Sequence, residues 1–570
     1  MTLPIKEALL ALYLVAGFAA VAERLLSLGP GPALFLYVGL FGFLAVCLLL
    51  AAYIRNTHLR LGYAVLLSAS ALLLDSFQRI VGEPLTYDAF INLLNSAGFV
   101  GDTLGQHASS IASAFASSLL LLVGVAMKPK RTLPLPGSAS VAAPLIGIAT
   151  LSGILFARGG EGANGLPSAF PILAYSSVFL YERGVSPTVA RQDVTIPRTG
   201  PRARGDIALI IDESVLGSYL DINDARGATS GLARSRPGVE IHNFGYAASI
   251  TNCSVGTNVT LRHGGTRDDY ERINATMPAI WRYARKAGLR TVYIDAQRTG
   301  GNLHNLMSRQ ELEAIDRFIQ FDDVPVRERD MAAADVLARL LNDRTADFII
   351  INKVGAHFPI HDKYPDAFMR HRPALPRGGF ADVSDTGSRD GFGGSSEDWA
   401  RYRNAYRNTL LWNVGAFFDR LFARARIGDA TIIYTSDHGQ DLHEAGNPGL
   451  DTHCSSDPVI EEGLVPLVVI KGATLKTLDW ERNLGANRNR VSHYEIFPTL
   501  LSLMGYDGQR VRAVYGPSLL ERSTGDPSFN ARFNARLGLK PRWIAINSRS
   551  ITATSVAQQA KLQERAGQLP

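Results

Sequence analysis

The chain has 570 residues, 46% hydrophobic and 19% charged, with a formal net charge of +6. That length accommodates two or more folded units, and a mean hydropathy of +0.05 is too high for an ordinary soluble enzyme. No nucleic-acid-binding module accompanies the positive balance, which reads instead as membrane topology and a surface near anionic lipid.

Five apolar runs of membrane-crossing length precede Arg158: residues 8–28, 33–54, 61–80, 108–127 and 140–157. The first is not a cleaved signal peptide, because Glu23 and Arg24 lie near its end, no small-residue cleavage site follows and four more runs come after it. Arg55, His58 and Arg60 separate runs two and three, and Lys128, Lys130 and Arg131 separate runs four and five. The 83–106 loop carries acids and no Lys or Arg. Basic loops stay in the cytoplasm, so five spans leave the amino terminus inside and everything after Arg158 outside. The predicted domains are a five-span membrane domain at 1–158, an interfacial helix and Pro/Arg-rich linker at 159–204, a folded outer domain at 205–546 and a polar tail at 547–570. Cys47 lies within the second span, whereas Cys253 and Cys454 both lie outside, where an oxidising compartment permits a disulfide.

The outer domain opens with the apolar run 206–211, which delivers Asp212 and Glu213 to its end. Further strands are predicted at 289–295, 348–352, 431–434 and 464–470, with helical periodicity at 279–287, 330–341 and 399–425. Strands alternating with helices predict an α/β domain with a mostly parallel sheet sandwiched by helices. The Gly, Ser and Asp-rich stretch 372–397 reads as a loop.

The run Thr431 to Tyr434 ends on Asp437 and His438, a carboxylate and an imidazole where a strand meets a loop. That is zinc-type ligation at the edge where open α/β sheets place their sites. Asp212, Glu213, His357 and His453 arrive at the same edge, and a convergence of this kind is harder to obtain by chance than any single pair. A candidate nucleophile lies in Ser249-Ile-Thr-Asn-Cys-Ser-Val-Gly-Thr-Asn258, where Thr257 is expected at the start of a helix. A hydroxyl needs a base or a metal to become a nucleophile at neutral pH, and zinc would serve.

Ile211-Asp-Glu-Ser, Thr251-Asn-Cys-Ser-Val-Gly-Thr, Val354-Gly-Ala-His, Ser436-Asp-His-Gly and Ser492-His-Tyr-Glu-Ile-Phe-Pro-Thr-Leu-Leu501, in that order, resemble the phosphoethanolamine transferases of the alkaline phosphatase and sulfatase superfamily. The resemblance implies a multi-pass bacterial inner-membrane enzyme with a periplasmic catalytic domain, acting on cell-envelope lipids such as lipopolysaccharide. It implies Glu213, Asp437 and His438 as ligands of one tightly held zinc, with Thr257 as the metal-bound nucleophile. His357 and His453 match histidines that bind the substrate phosphate or a second zinc, and Gln297 falls near a substrate-contacting amide. The implied reaction moves phosphoethanolamine from phosphatidylethanolamine to an envelope lipid or glycan through a covalent phospho-threonine. Asp212 stands where the family usually has Gly, and its expected place is behind the metal ligands, bracing them. The several disulfides of the lipid A enzymes cannot form here, and a single Cys253–Cys454 brace is their expected substitute.

Two related chemistries remain as alternatives: a phosphoglycerol transferase using phosphatidylglycerol, and a sulfatase-like phosphodiester hydrolase. Sulfate hydrolysis itself needs a Cys-x-Pro-x-Arg context, and Cys253 is followed by Ser-Val-Gly-Thr. His242, His263, His361, His443 and His493 match no ligand position and read as packing or surface residues.

Overall fold

The structure, a computed structural model, describes residues 5–81, 84–95, 108–130, 134, 136–185, 190–201, 205–376, 394–447, 451–455, 457–475, 479–523, 527–534 and 539–547. The centre of the loop expected at 372–397 and nearly all of the 547–570 tail lie outside the described residues. The chain forms two compact units, Met1–Thr188 with Asn534–Lys540, and Val189–Phe533 with Pro541–Pro570. The segment expected as one linker region, 159–204, is divided between them, and its helix Pro171–Val185 belongs to the first unit.

In the first unit, Pro32–Ala52, Thr57–Ile80 and Gly137–Ala157 are long and apolar enough to cross a membrane. The first predicted span is a pair of helices, Ile5–Ala16 and Phe18–Leu28, bent by 50° about Gly17, and counts as a fourth crossing if the pair is one span. The helix Ala108–Ala126 contains a shorter apolar stretch, Ser110–Ala126. Length and composition therefore mark three to four spans where five are expected from hydropathy. Close packing rests on small residues, as association between apolar helices requires: a Cβ at Gly147 would come 3.1 Å from the Phe170 ring. Basic side chains close several helix ends. Arg60 donates to the Ile54 carbonyl at 2.9 Å and the Ala126 carbonyl at 3.0 Å, and Lys6 donates to Val125 at 3.2 Å.

The second unit is built on an eight-stranded sheet of order β4-β3-β5-β1-β6-β7-β2-β8. Its strands are β1 (Ile207–Asp212), β2 (Val239–Ala248), β3 (Arg290–Asp295), β4 (Arg317–Ile319), β5 (Asp347–Asn352), β6 (Thr431–Ser436), β7 (Leu464–Gly472) and β8 (Val491–Ser492). β4, β3, β5, β1 and β6 run parallel, so their carboxyl ends share one edge. β7 is antiparallel to both β6 and β2. The expected mostly parallel α/β sheet is present, with one antiparallel strand that periodicity does not announce. Successive residues of β1 alternate between two cores: Ala208 and Ile210 enter one, and Ile207, Leu209 and Ile211 the other. A strand buried on both faces reads as a continuous apolar run, which is why β1, β5 and β6 are visible in the sequence. β2 carries Asn243, Gly245 and a register shift between Asn243 and Tyr246, and its mixed composition hides it.

Candidate metal and phosphoryl-transfer site

Glu213 leaves β1, and Asp437 and His438 leave β6, its neighbour in the sheet; the Asp437 amide donates to the Asp212 carbonyl at 2.9 Å. This pairing brings one donor atom from each of Glu213, Asp437 and His438 within 4.8 Å of one another, all three residues buried. His438 Nε2 lies 3.3 Å from Glu213 Oε1 and 3.8 Å from Asp437 Oδ2. Its other nitrogen, Nδ1, is 2.7 Å from the Gly439 carbonyl oxygen, which only accepts, so Nδ1 carries the proton and Nε2 faces the carboxylates. Asp437 Oδ1 accepts from the Ser214 and His438 amides, at 3.0 and 2.8 Å. Its Oδ2 is buried without a hydrogen-bond partner.

Burial works against charge on all three groups, and their mutual interactions decide the outcome. Burial opposes ionisation of Glu213, yet the His438 hydrogen bond and charge outweigh it and hold this carboxyl well below the usual range. Asp437 is pushed up to about 8, first by burial and then by the Glu213 charge. His438 rises to about 9 against its own burial because Asp437 and Glu213 surround it. Two oxygen donors, one imidazole nitrogen and an orphaned buried carboxylate oxygen fit a zinc-sized cation, whose binding would displace the proton the group otherwise shares.

The hydroxyl at this group is Ser254, not Thr257. Cys253, extended at φ −135° and ψ 147°, caps the helix Ser254–His263, which makes Ser254 its first residue. Ser254 Oγ lies 3.4 Å from each Glu213 carboxylate oxygen and 3.2 Å from His438 Nε2. Thr257 sits one turn further along, fully buried, and its hydroxyl is engaged with the backbone of Thr251: it donates to the carbonyl and accepts from the amide, both at 3.3 Å. The expected helix start is thus three residues too late. No side-chain cap announces this start in the sequence: the N-cap is Cys253, which makes no capping hydrogen bond.

The other expected residues divide. His453 stacks on His438 with ring centroids 4.5 Å apart. His357 turns Nδ1 to the Phe358 carbonyl at 2.6 Å, and the charges of Glu213 and His438 act on it; burial, ahead of these, pushes its pKa down. Gln297 grips the ligand group: Nε2 donates to Glu213 Oε2 at 3.1 Å and to the Lys353 carbonyl at 2.8 Å. Asp212 faces away from the cluster, with Oδ2 2.6 Å from the ammonium of the fully buried Lys353, which also lies 3.7 Å from Asp330. Asp212 Oδ1 accepts the Glu213 amide at 3.2 Å, so the ion pair reaches the ligand through the backbone. Gly355, at φ 54°, makes this packing possible: a Cβ there would lie 2.3 Å from Asp212 Oδ1. Lys353, directly after β5, and His304, on which the Glu213 charge acts, escaped sequence reasoning, since neither stands beside a second ligand-type residue. Cys253 is bonded to Cys454 with Cα atoms 5.0 Å apart, tying the start of the Ser254 helix to the segment carrying His453.

The profile of the sulfatase family matches residues 209–506, more than half of the chain, and the chain belongs to that family. No curated protein matches it. Among solved structures, the integral membrane protein lipooligosaccharide phosphoethanolamine transferase A from Neisseria meningitidis aligns over 90% of this chain and 98% of its own, at 16% identity and a TM-score of 0.58. The C-terminal periplasmic domain of EcEptC from Escherichia coli, in complex with Zn, aligns over 62% of this chain and 96% of its own, at 15% identity and a TM-score of 0.47. Lipoteichoic acid synthase LtaP from Listeria monocytogenes covers 60% of this chain and 82% of its own, at 13% identity and a TM-score of 0.38. The first of these shows that a helical amino-terminal part followed by a sulfatase-like domain is one shared fold.

Proposed function

We propose that the protein is a zinc-dependent phosphoethanolamine transferase of the bacterial inner membrane, with its amino terminus cytoplasmic and its catalytic unit periplasmic. The donor in this reading is phosphatidylethanolamine and the acceptor an envelope lipid or glycan. The observation that carries it is the Ser254 hydroxyl at the helix start, within 3.4 Å of Glu213 and 3.2 Å of His438. When bound by Glu213, Asp437 and His438, zinc supplies Lewis acidity that favours the ionised hydroxyl and offsets charge on phosphoryl oxygens. Ser254 passes its proton to a Glu213 carboxylate oxygen, 3.4 Å from Oγ, as Oγ bonds to phosphorus, and the P–O bond to diacylglycerol breaks. The leaving oxygen keeps the electron pair and takes a proton from His453, which stacks on His438. An acceptor hydroxyl then loses its proton to the same histidine as its oxygen bonds to phosphorus, and the Ser254 Oγ–P bond breaks as Oγ recovers its proton from Glu213. Gln297 and Asp212 hold Glu213 in place, and the amides opening the Ser254–His263 helix face the transferred anion.

The test is mass spectrometry of the purified protein after incubation with head-group-labelled phosphatidylethanolamine and no acceptor. A phosphoethanolamine adduct on Ser254, abolished by chelation and by Ser254→Ala but kept in Thr257→Val, bears the reading out. An adduct on Thr257 overturns the assignment of the nucleophile, and an adduct formed only from phosphatidylglycerol overturns the donor.

A further inference from the structure

The nucleophile and the proton donor of the reaction above each stand one position from a cysteine: Cys253 precedes Ser254, and Cys454 follows His453. The two cysteines are bonded to each other, with Cα atoms 5.0 Å apart across 201 residues of chain. Hydrogen bonds join the same two segments independently of the sulfurs. The Cys454 amide donates to the Asn252 carbonyl at 3.0 Å, and Asn252 Nδ2 donates to the Ser455 carbonyl at 3.1 Å. The buried Glu462 accepts from Asn252 Nδ2 at 2.9 Å and from the Ser455 amide at 3.2 Å, clamping both sides. Docking of the segments is therefore secured already, and the crosslink adds a restraint on the two residues that flank the reacting groups.

Ser254 has a helix and the metal group to place it. Its carbonyl accepts from Asn258 Nδ2 at 3.0 Å, and its hydroxyl lies against Glu213 and His438. His453 belongs to a stretch with neither helix nor strand. Its Nδ1 is 3.2 Å from the hydroxyl of its neighbour Thr452, and its ring stacks on His438. Cys454, directly after it, is a non-glycine residue in the left-handed region, at φ 58°. Such a conformation persists only where the surroundings impose it, and here it sets the direction in which the preceding imidazole projects.

We propose that the Cys253–Cys454 bond is a positioning device for proton transfer, holding His453 at the leaving oxygen while the helix, Glu213 and His438 hold Ser254. This rests on the transferase reading above. Opening the bond leaves Ser254 and the metal group in place and lets His453 turn away, so the loss falls on leaving groups that need a proton. Cys454 is exposed and Cys253 half-buried, so a soluble reductant reaches the sulfurs.

The test uses the full-length, zinc-loaded protein before and after treatment with a water-soluble phosphine. The phosphine converts the disulfide to two thiols and becomes a phosphine oxide, its oxygen coming from water; free thiols rise from one, Cys47, to three. Two donors with one head group are compared: phosphatidylethanolamine, whose diacylglycerol oxygen must be protonated, and p-nitrophenyl phosphoethanolamine, whose nitrophenolate leaves as the anion. Reduction is expected to lower kcat on the lipid by about tenfold or more and to keep the nitrophenyl ester within about threefold. Zinc content stays constant and reoxidation restores the rate. The double variant Cys253→Ser with Cys454→Ser reproduces the ratio of the reduced protein and ignores the phosphine. Equal losses on both donors, or zinc lost in step with activity, mark a merely structural crosslink and overturn the proposal, as does full activity on the lipid with three free thiols. Oxidised protein that does not cleave the lipid overturns the phospholipid reading itself, a failure seen before any reduction.

Discussion

Replacing Lys353 by Met removes the ammonium that neutralises two carboxylates at the floor of the site. Lys353 is fully buried, 2.6 Å from Asp212 and 3.7 Å from Asp330, and its ammonium lies over the Phe417 ring at 4.3 Å. Met fills a similar volume, so the cost is electrostatic. Asp330 retains hydrogen bonds from the Val354 and Gly355 amides at 2.8 and 3.0 Å. Asp212 retains those from the Glu213 amide and the Tyr434 hydroxyl. Breaking a buried pair from one side costs about 3–5 kcal/mol, because the partner charge stays behind. At about 2 °C per kcal/mol for a unit of this size, the unfolding transition should fall by roughly 6–10 °C. The double variant Lys353→Met with Asp212→Asn removes both members, and at least half of the loss should return. The assay is intrinsic fluorescence during heating of the detergent-solubilised protein, with zinc content measured alongside. A Lys353→Met transition within 2 °C of wild type, or a double variant less stable than the single one, would refute the charge-balance argument.

Other measurements follow from the same structure. Asp206, whose carboxylate accepts the Asp347 amide at 2.9 Å, is raised to about 7, mainly by burial. A raised carboxyl binds its proton in the folded state over the window from about 4 to 7, so stability falls as pH rises through it. Asp206→Asn should therefore stabilise the protein by about 1–2 kcal/mol at pH 8, after allowing for partial solvent screening, and do nothing at pH 4; equal effects at both pH values would contradict this. Asp437→Asn removes a charge from the metal group while keeping an acceptor for the Ser214 amide, and zinc content after dialysis should fall at least tenfold with the circular dichroism spectrum unchanged. Replacing Cys253 and Cys454 together by Ser frees the His453 segment from the Ser254 helix across 201 residues of chain. The expected cost is about 2–4 kcal/mol, read from thermal unfolding with and without reductant. Reductant should then have no effect on the double variant.

How much was legible depended on whether a feature is local. The apolar runs 207–211, 348–351 and 431–434 declare β1, β5 and β6 because strands buried on both faces have no room for polar residues. Glu213, Asp437 and His438 are legible for the same reason: each follows immediately after such a run, and parallel strands deliver their ends to one edge. The bend at Gly17 and β2 were not legible, since neither changes the hydropathy pattern in a way a window can read.

By itself, the sequence determined that this is a membrane-anchored α/β protein and which strand ends carry the donors, because burial leaves its mark residue by residue. Only the tertiary structure decided which hydroxyl meets them and where the charges are balanced. Ser254 and Thr257 are three residues apart on one helix, and composition cannot say which faces the sheet edge; the contact with Glu213 and His438 does. Asp212 read as a brace behind the metal ligands; that its own charge is met by Lys353, 141 residues away in sequence, no local pattern could say. Side-chain chemistry is written in the chain, whereas the distances that turn it into a site arise only when separate strands and helices pack.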